Sequence, residues 1–459
     1  MGILDFLFNK PPIKVSDLND AAAPSEPNKP SREDLLKGIE ITEEYEAIRT
    51  LIERGEQFLF VTGKAGTGKT TLIHFLNNIF EDKNVVTVAP TGVAALNAKG
   101  ETIHSFFKLP PRFVFPEDIK SASNKRLYLS MHILIVDEIS MVRADVIDGM
   151  NLFLQKARDS SLPFGGVQVI FLGDLFQLPP VVNFQEGKML NEHGYRSPYF
   201  FSAKSLQDAE LLPIDLTKIY RQSDEHFIRL LSNIRIGKDI EQSINEINKV
   251  AFNNSTFETQ ITLSATNAVA EAINRNELNK LNSQEFSYIG TMGGNFKEKN
   301  LPSPMRLTLK EGAQVMMTKN QSGWVNGSLA KVVALSEQSI EVELYDEPGK
   351  VYQVDKAKWE TYKYSYDHSL GKIKPEVSGW FEQYPIMIAW AITIHKSQGK
   401  TLDSVTINMG QGAFTTGQTY VALSRCKNLE KVNLLKPINS NDIKVDQSIC
   451  KFYSSLGII

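Results

Sequence analysis

Cysteine is scarce in this chain. Cys426 and Cys450 are the only two in 459 residues, and neither sits at a metal-ligand spacing. Two thiols make no disulfide framework, so the expectation is a pair of free cysteines in a reducing compartment. No apolar run is long enough to cross a bilayer, so no membrane partner is expected. The first residues, MGILDFLFNKPPIKVSDLND, lack a basic leader and a long apolar core. They read as a cytoplasmic, non-secreted start. An excess of positive charge is also missing: 50 Lys and Arg stand against 53 Asp and Glu, for a net charge of -3. A globally basic nucleic-acid binder is thereby excluded, although a groove needs only local charge to hold a phosphate backbone.

What is present is a chain long enough for two or three domains with cores that need no staples. The stretch NDAAAPSEPNKPSRE, rich in Pro, Ser and Ala, reads as a linker that closes an N-terminal arm over residues 1–35. The apolar segments QFLFVTG, VVTVAP, HILIVDE and VQVIFLG then alternate with helix-sized stretches. That rhythm predicts an α/β domain over 36–205, a parallel sheet covered on both faces. Inside it, residues 107–130 break the rhythm with prolines and basic side chains and read as a surface insertion. There Pro110, Pro111 and Phe113 would supply rigidity and an apolar edge. A second α/β domain is expected over 206–329 and 376–440. Alternating short strands over 330–375 predict a small antiparallel, barrel-like insertion, and 441–459 is expected to be a tail.

The most specific signal is GKAGTGKTT, Gly63 to Thr71, which follows the strand-like FLFV. Gly63, Gly66 and Gly68, with Ala65 and Thr67 between them, let backbone N–H groups close around phosphates. Lys69 would reach the β and γ phosphates of ATP. The Thr70 hydroxyl would ligate Mg²⁺, and Thr71 opens a helix whose N-terminus favours an anion. In ILIVDEIS, Asp137 and Glu138 end an apolar strand, where they can face a crevice. Asp137 suits the metal shell and Glu138 the attacking water. Gln177 in FLGDLFQLPP could report on the γ-phosphate, with Asp174 supporting its loop. Arg221 in IYRQ and Arg425 in VALSRC are arginines that spacing alone cannot bring to the nucleotide.

Taken in order, GKAGTGKTT, APTGVAA, ETIHSFF, VDEISMVRADV, PFGGVQVIFLGDLFQLPP, AWAITIHKSQGKTLDSVTIN and GQTYVALSR resemble the motifs of the PIF-type DNA helicases. These are relatives of RecD within superfamily 1, subclass B, and the resemblance covers residues 38 to 435. It implies two RecA-like domains with ATP between them, a small wedge in the first and an SH3-like insertion in the second. It implies ATP-driven 5′-to-3′ movement on single-stranded DNA and action at single-strand/duplex junctions. Many members also open G-quadruplexes and DNA–RNA hybrids. Carried over motif by motif, Lys69, Thr70, Asp137, Glu138 and Gln177 form the nucleotide site, and Arg221 and Arg425 close on the γ-phosphate from the second domain. Gly399 lies on that domain's nucleotide side. The DNA track would comprise Thr91, Gly92, His104, Ser105 and Phe106 in the first domain. In the second it would comprise Asn326, Gly327, Thr393, His395, Lys396 and Ser397. The segment after the two acids would help organise that face. A bacterial, nucleoid-associated member is the expectation.

One position departs from the family pattern. Tyr45 stands where the family usually carries an adenine-reading glutamine. A phenol cannot present an amide pair, which puts ATP-over-GTP selectivity in question. Two rivals share the phosphate loop: a nucleotide-controlled switch or loader that binds DNA without travelling, and a metabolic P-loop enzyme. The second leaves the later motifs unexplained.

Overall fold

The computed structural model describes residues 40–254, 261–298 and 301–459; the expected N-terminal arm and linker lie outside them. The first domain is built on six parallel strands: β1 (Phe58–Gly63), β2 (Val85–Ala89), β3 (Glu101–Thr102), β4 (Ile133–Val136), β5 (Gln168–Leu172) and β6 (Leu212–Leu216). Their order is β3-β2-β4-β5-β1-β6. Side chains alternate across a strand, so each strand feeds two cores. Phe58, Phe60, Leu134, Val136, Val169 and Phe171 pack into one buried cluster. Leu59, Val61, Ile133, Ile135, Ile170 and Leu172 pack into another, under the helices Glu43–Glu53 and Lys69–Ile79. Double burial explains why these strands are continuous apolar runs. It also aligns the carboxyl ends of β1, β5 and β4 side by side, where the phosphate loop, Gly173–Gln177 and Asp137–Glu138 emerge.

Several sequence expectations about extent are revised. The first sheet does not end near 205: β6 pairs with β1 from Leu59↔Leu212 to Gly63↔Leu216. Its sequence LPIDL is short, half-exposed and carries Pro213, as suits an edge strand, and so it does not read as a buried strand. The expected surface insertion, residues 107–130, has many exposed side chains but is anchored in the first core. Phe107, Leu109, Phe113, Val114, Ile119, Leu127 and Tyr128 are all buried in the first core. The Asp145 carboxylate, at 0% exposure, accepts from the Val114 N–H at 2.9 Å. Phe113 packs against Phe115, His193 and Tyr195 and presents no apolar edge to solvent. The expected tail contains the helix Gln447–Ser455, whose Ile449 and Tyr453 share a face by i, i+4 spacing. Tyr453 is fully buried, with its hydroxyl 2.6 Å from Thr62 Oγ1 and accepting from the Leu175 N–H.

The second domain holds β7 (Ile261–Ser264), then an antiparallel region, then a return to parallel strands. The antiparallel strands are β8 (Glu285–Ile289), β9 (Thr291–Gly294), β10 (Arg306–Lys310), β11 (Gln314–Met317), β12 (Leu329–Leu335), β13 (Ile340–Leu344), β14 (Val351–Val354), β15 (Ala357–Asp367), β16 (Lys372–Gln383) and β17 (Ile386–Ile388). They form sheets ordered β14-β13-β12-β11-β17, β15-β16-β9 and β10-β8. The antiparallel region therefore runs from Glu285 to Ile388, well beyond the expected 330–375, because the flanking strands are short and partly exposed. With β18 (Ala391–Thr393), β19 (Val405–Asn408) and β20 (Val432–Leu434), β7 completes a parallel sheet ordered β18-β7-β19-β20. The β15–β16 hairpin reaches back to the first domain. The Tyr364 hydroxyl oxygen accepts from the Thr87 N–H at 2.9 Å, and the Tyr364 N–H donates to the Glu101 carboxylate.

Candidate functional site

The phosphate loop leaves β1 and turns into the helix Lys69–Ile79 through Gly66 and Gly68, both at φ near +85°. A Cβ on Gly66 would lie 2.6 Å from Arg221 Cβ, and one on Gly68 2.8 Å from the Tyr45 hydroxyl. Glycine is required at both by conformation and by space. Lys69 Nζ donates to the Gly63 and Lys64 carbonyls at 2.8 and 2.9 Å, over the mouth of the loop, and burial lowers its basicity. Thr70 and Thr71 are exposed at the helix start, and Thr67 is buried with its hydroxyl donating to the Lys64 carbonyl. The Ala65 N–H donates to the Tyr420 hydroxyl of the second domain.

Asp137 is 9% exposed, and burial and the neighbouring Glu138 push it up to about 7. Burial likewise raises Glu138, partly offset by Lys69 and Arg425. Glu138 sits at φ +49°, a left-handed conformation that costs a non-glycine residue about 1–3 kcal/mol. Its carboxylate accepts from Gln398 Nε2 at 3.3 Å, and the same amide reaches Gln177 Oε1 at 3.5 Å. Gln398 thus joins the acid, the sensor glutamine and the second domain. Its place in ITIHKSQG was legible, but its partners, 221 and 260 residues away, were not. Asp174 forms a fully buried ion pair with Arg235 of the helix Glu225–Ile236, at 2.8 Å. Phe176 and Tyr453 cover the guanidinium, 4.5 and 5.5 Å from their ring centres. Sequence reasoning named Asp174 and missed Arg235.

Both candidate arginines reach the cleft. The Tyr220 N–H donates to the Gly66 carbonyl, which lays Arg221 against the phosphate loop. Arg221 donates to Thr401 Oγ1 at 2.9 Å and to the Ser424 carbonyl at 3.3 Å. Arg425, 1% exposed, donates to the Val421 carbonyl and Ser424 Oγ at 2.9 Å. Burial and the adjacent Arg221 guanidinium lower Arg425 to about 9, and burial lowers Arg221. Neither has an ion-pair partner among the described residues. A lysine and two arginines without paired carboxylates among the described residues, facing two adjacent acids, fit a magnesium nucleotide: cations for phosphate oxygens, carboxylates for the metal shell.

Tyr45 is 2% exposed and donates its hydroxyl to the Gly68 carbonyl at 2.7 Å, with its ring 5.4 Å from Phe75. It braces the loop. The nearby Tyr220, which the sequence did not single out, is 47% exposed, with Lys218 Nζ 5.1 Å from its ring centre.

The expected DNA residues divide. Thr91 caps the helix Gly92–Asn97, accepting from the Ala94 N–H, with Gly92 buried at its start. His104 and Ser105 are half-buried, and Ser105 donates to Glu101 at 2.5 Å. Lys396 is exposed. The half-buried His395 ring lies parallel to Phe414, which is 58% exposed. Asn326 and Gly327 form the turn between β11 and β12. Three expectations are corrected. Phe106 is 2% exposed and edge-on to Phe107, Tyr128 and Tyr364, so it offers no face to a base. Ser397 is fully buried and donates to the Ile394 carbonyl. Thr393 is 4% exposed, its hydroxyl accepting from the Lys396 N–H. These two shape the loop that displays Lys396. Gly399 is exposed at φ +77°.

A family model described as PIF1-like helicase matches residues 40–254. The ATP-dependent DNA helicase Pif1 of Bdellovibrio bacteriovorus is 31% identical over 90% of this chain and 92% of its own. The chain belongs to the PIF1-like helicase family. ATP-dependent DNA helicase PIF1 of Homo sapiens is 30% identical over 91% of the chain. The chain spans less than two thirds of the curated fungal and mammalian relatives, 62% of the Emericella nidulans protein and 64% of the human one. Unliganded Pif1 from Bacteroides sp superposes with a TM-score of 0.83 at 36% identity, covering 91% of this chain and 98% of that one. Its complex with ADP-AlF4 gives 0.84, and Bacteroides Pif1 bound to ssDNA gives 0.65. This PIF1-like chain therefore has the two RecA-like domains of those structures, in an arrangement nearer to the one without DNA. No described helix is long and apolar enough to cross a membrane.

Proposed function

We propose that this chain is an ATP-dependent DNA helicase that moves 5′-to-3′ along single-stranded DNA and parts duplex at single-strand/duplex junctions. The observation that carries the reading is the Arg221–Arg425 pair. A half-buried and a fully buried guanidinium, with no carboxylate partner among the described residues, stand over a phosphate loop supplied by the other domain. Such an arrangement binds the terminal phosphate only when the domains are together, and so ties nucleotide state to domain closure. The bacterial relative and the Bacteroides structures with ADP-AlF4 and with ssDNA support the same reading.

Lys69 and the loop N–H groups bind the phosphates. Thr70 and Asp137 would hold a Mg²⁺, which supplies charge neutralisation on the phosphate oxygens when bound. Glu138, held in place by Gln398, orients the attacking water and takes its proton. Gln177 reads the terminal phosphate and passes its state to Asp174 and, through Arg235, to the second domain. Arg221 and Arg425 stabilise the charge that develops on the transferred group. Thr91, His104, Lys396 and Asn326 hold the backbone of the strand, and Tyr220 supplies a stacking face for the base of the nucleotide. G-quadruplexes and DNA–RNA hybrids are proposed as further substrates of the same motor, and a bacterial nucleoid as its place of action.

Hydrolysis of ATP with and without single-stranded DNA tests the reading. The wild-type protein should be stimulated by DNA, and Lys69→Ala should bind DNA without hydrolysing ATP. Hydrolysis that is indifferent to DNA would favour a metabolic P-loop enzyme.

A further inference from the structure

Between the antiparallel insertion and the nucleotide cleft lies a two-residue bridge, Lys400–Thr401. On the cleft side it carries both arginines. Thr401 Oγ1 accepts from Arg221 Nε at 2.9 Å, and the Lys400 carbonyl lies 3.5 Å from Arg425 Nη1. The Leu402 N–H donates to the Arg425 carbonyl at 2.9 Å, which fixes the bridge to the arginine's own backbone. On the insertion side, Lys400 Nζ donates to Asn326 Oδ1 at 2.5 Å. A Cβ on Gly327, itself at φ +105°, would lie 3.3 Å from the Thr401 carbonyl. The turn is continuous with the insertion's sheet: the Gly327 N–H donates to the Met317 carbonyl at 2.8 Å and the Asn326 N–H to Asn320 Oδ1 at 2.6 Å.

Lys400 is an unusual choice for such a place. Burial lowers its ammonium to about 8, with no acidic neighbour raising it. A half-buried cation answered by one neutral amide is costly, and a neutral side chain would fill the space at less cost. What it provides is a short, charge-assisted bond between the insertion's turn and the segment that touches both arginines. The mechanism above leaves this residue unassigned.

We propose that Lys400 is a positioning residue that couples the Asn326–Gly327 turn of the insertion to the Arg221–Arg425 pair, so that DNA held on the insertion side sets the arginines for hydrolysis. The coupling rests on the helicase reading. It makes Lys400 the link through which DNA raises the turnover of ATP, distinct from the groups that bind either ligand.

Lys400→Met keeps the apolar stem and removes the ammonium, and Lys400→Arg keeps a donor. The full chain is assayed for basal hydrolysis, for maximal rate with a single-stranded oligonucleotide, and for the oligonucleotide concentration at half-maximal stimulation. Lys400→Met should keep basal hydrolysis and half-saturation within about twofold and lose about tenfold of the maximal stimulation, a typical coupling between two sites. Lys400→Arg should restore part of it. Adding Asn326→Ala to Lys400→Met should lower the maximal stimulation at saturating oligonucleotide no further, as expected of two groups in one interaction, while half-saturation rises with the lost DNA contact. An equal fall in basal and stimulated rates would make Lys400 merely structural. A rise in half-saturation alone would make it a DNA phosphate contact. Either outcome overturns the proposal. Absence of stimulation in the wild-type protein would overturn the helicase reading with it, whereas normal stimulation in Lys400→Met overturns the coupling alone.

Discussion

Replacing Arg221 by glutamine separates a catalytic arginine from a structural clamp. In the structure Arg221 makes two bonds to neutral acceptors, Thr401 Oγ1 and the Ser424 carbonyl. Each is worth about 1 kcal/mol net, and a glutamine amide or water can take over part of that. Against this loss stands relief of the repulsion with Arg425, which the Arg221 charge helps to lower. The two effects oppose each other, so the stability of the nucleotide-free protein should change by less than about 1 kcal/mol. In the transition state the balance is different. An arginine at a transferring phosphoryl group is worth about 10³–10⁵ in kcat, equivalent to about 4–7 kcal/mol. DNA-stimulated hydrolysis measured beside urea unfolding compares the two numbers directly. A variant that keeps more than about a tenth of kcat would show that Arg221 does not meet the phosphate. A variant that loses several kcal/mol of stability along with activity would make it a clamp.

Other perturbations have equally definite signs. Asp174→Ala should cost about 3–5 kcal/mol in urea unfolding because it strands the buried Arg235 cation; Asp174→Leu combined with Arg235→Met should recover much of that loss. Asp137→Asn should abolish hydrolysis yet stabilise the nucleotide-free protein. Its carboxyl lies near 4 in the unfolded chain and is raised to about 7 in the fold, so ionisation opposes folding. The stability gap over wild type should therefore be small below pH 4, grow between pH 4 and 7, and level off above, by a few kcal/mol at most. Thermal unfolding across that range checks it. Tyr45→Phe should raise KM for ATP by about three- to tenfold with little change in kcat, since one hydrogen bond to the Gly68 carbonyl is lost.

The legible parts of this molecule were those encoded locally. A strand, a glycine turn and a lysine within the twelve residues from Phe58 to Lys69 announce a phosphate loop, and two acids at the end of ILIV announce its partner. The period-2 division of Phe58, Phe60 and Leu59, Val61 between two cores follows from alternation alone. What escaped was non-local or marginal. Arg235 meets Asp174 across 61 residues, and nothing near either one signals the other. Strand β6 hid behind a proline and half-exposure. Phe106 sits beside a histidine in a motif that suggested base contact, but the four-residue helix Ile103–Phe106 turns it inward. Tyr45 could be seen to lack an amide pair. That its hydroxyl braces Gly68 required coordinates.

The proposal as a whole is most directly exposed by strand displacement with ATP on two otherwise identical partial duplexes, one with a 5′ single-stranded tail and one with a 3′ tail, beside a Lys69→Ala control. Opening of the 5′-tailed duplex alone, by the wild-type protein alone, is the expected outcome. Opening of the 3′-tailed duplex alone would contradict the direction of travel, and opening of neither while DNA still stimulates hydrolysis would leave a nucleotide-driven switch in place of a motor.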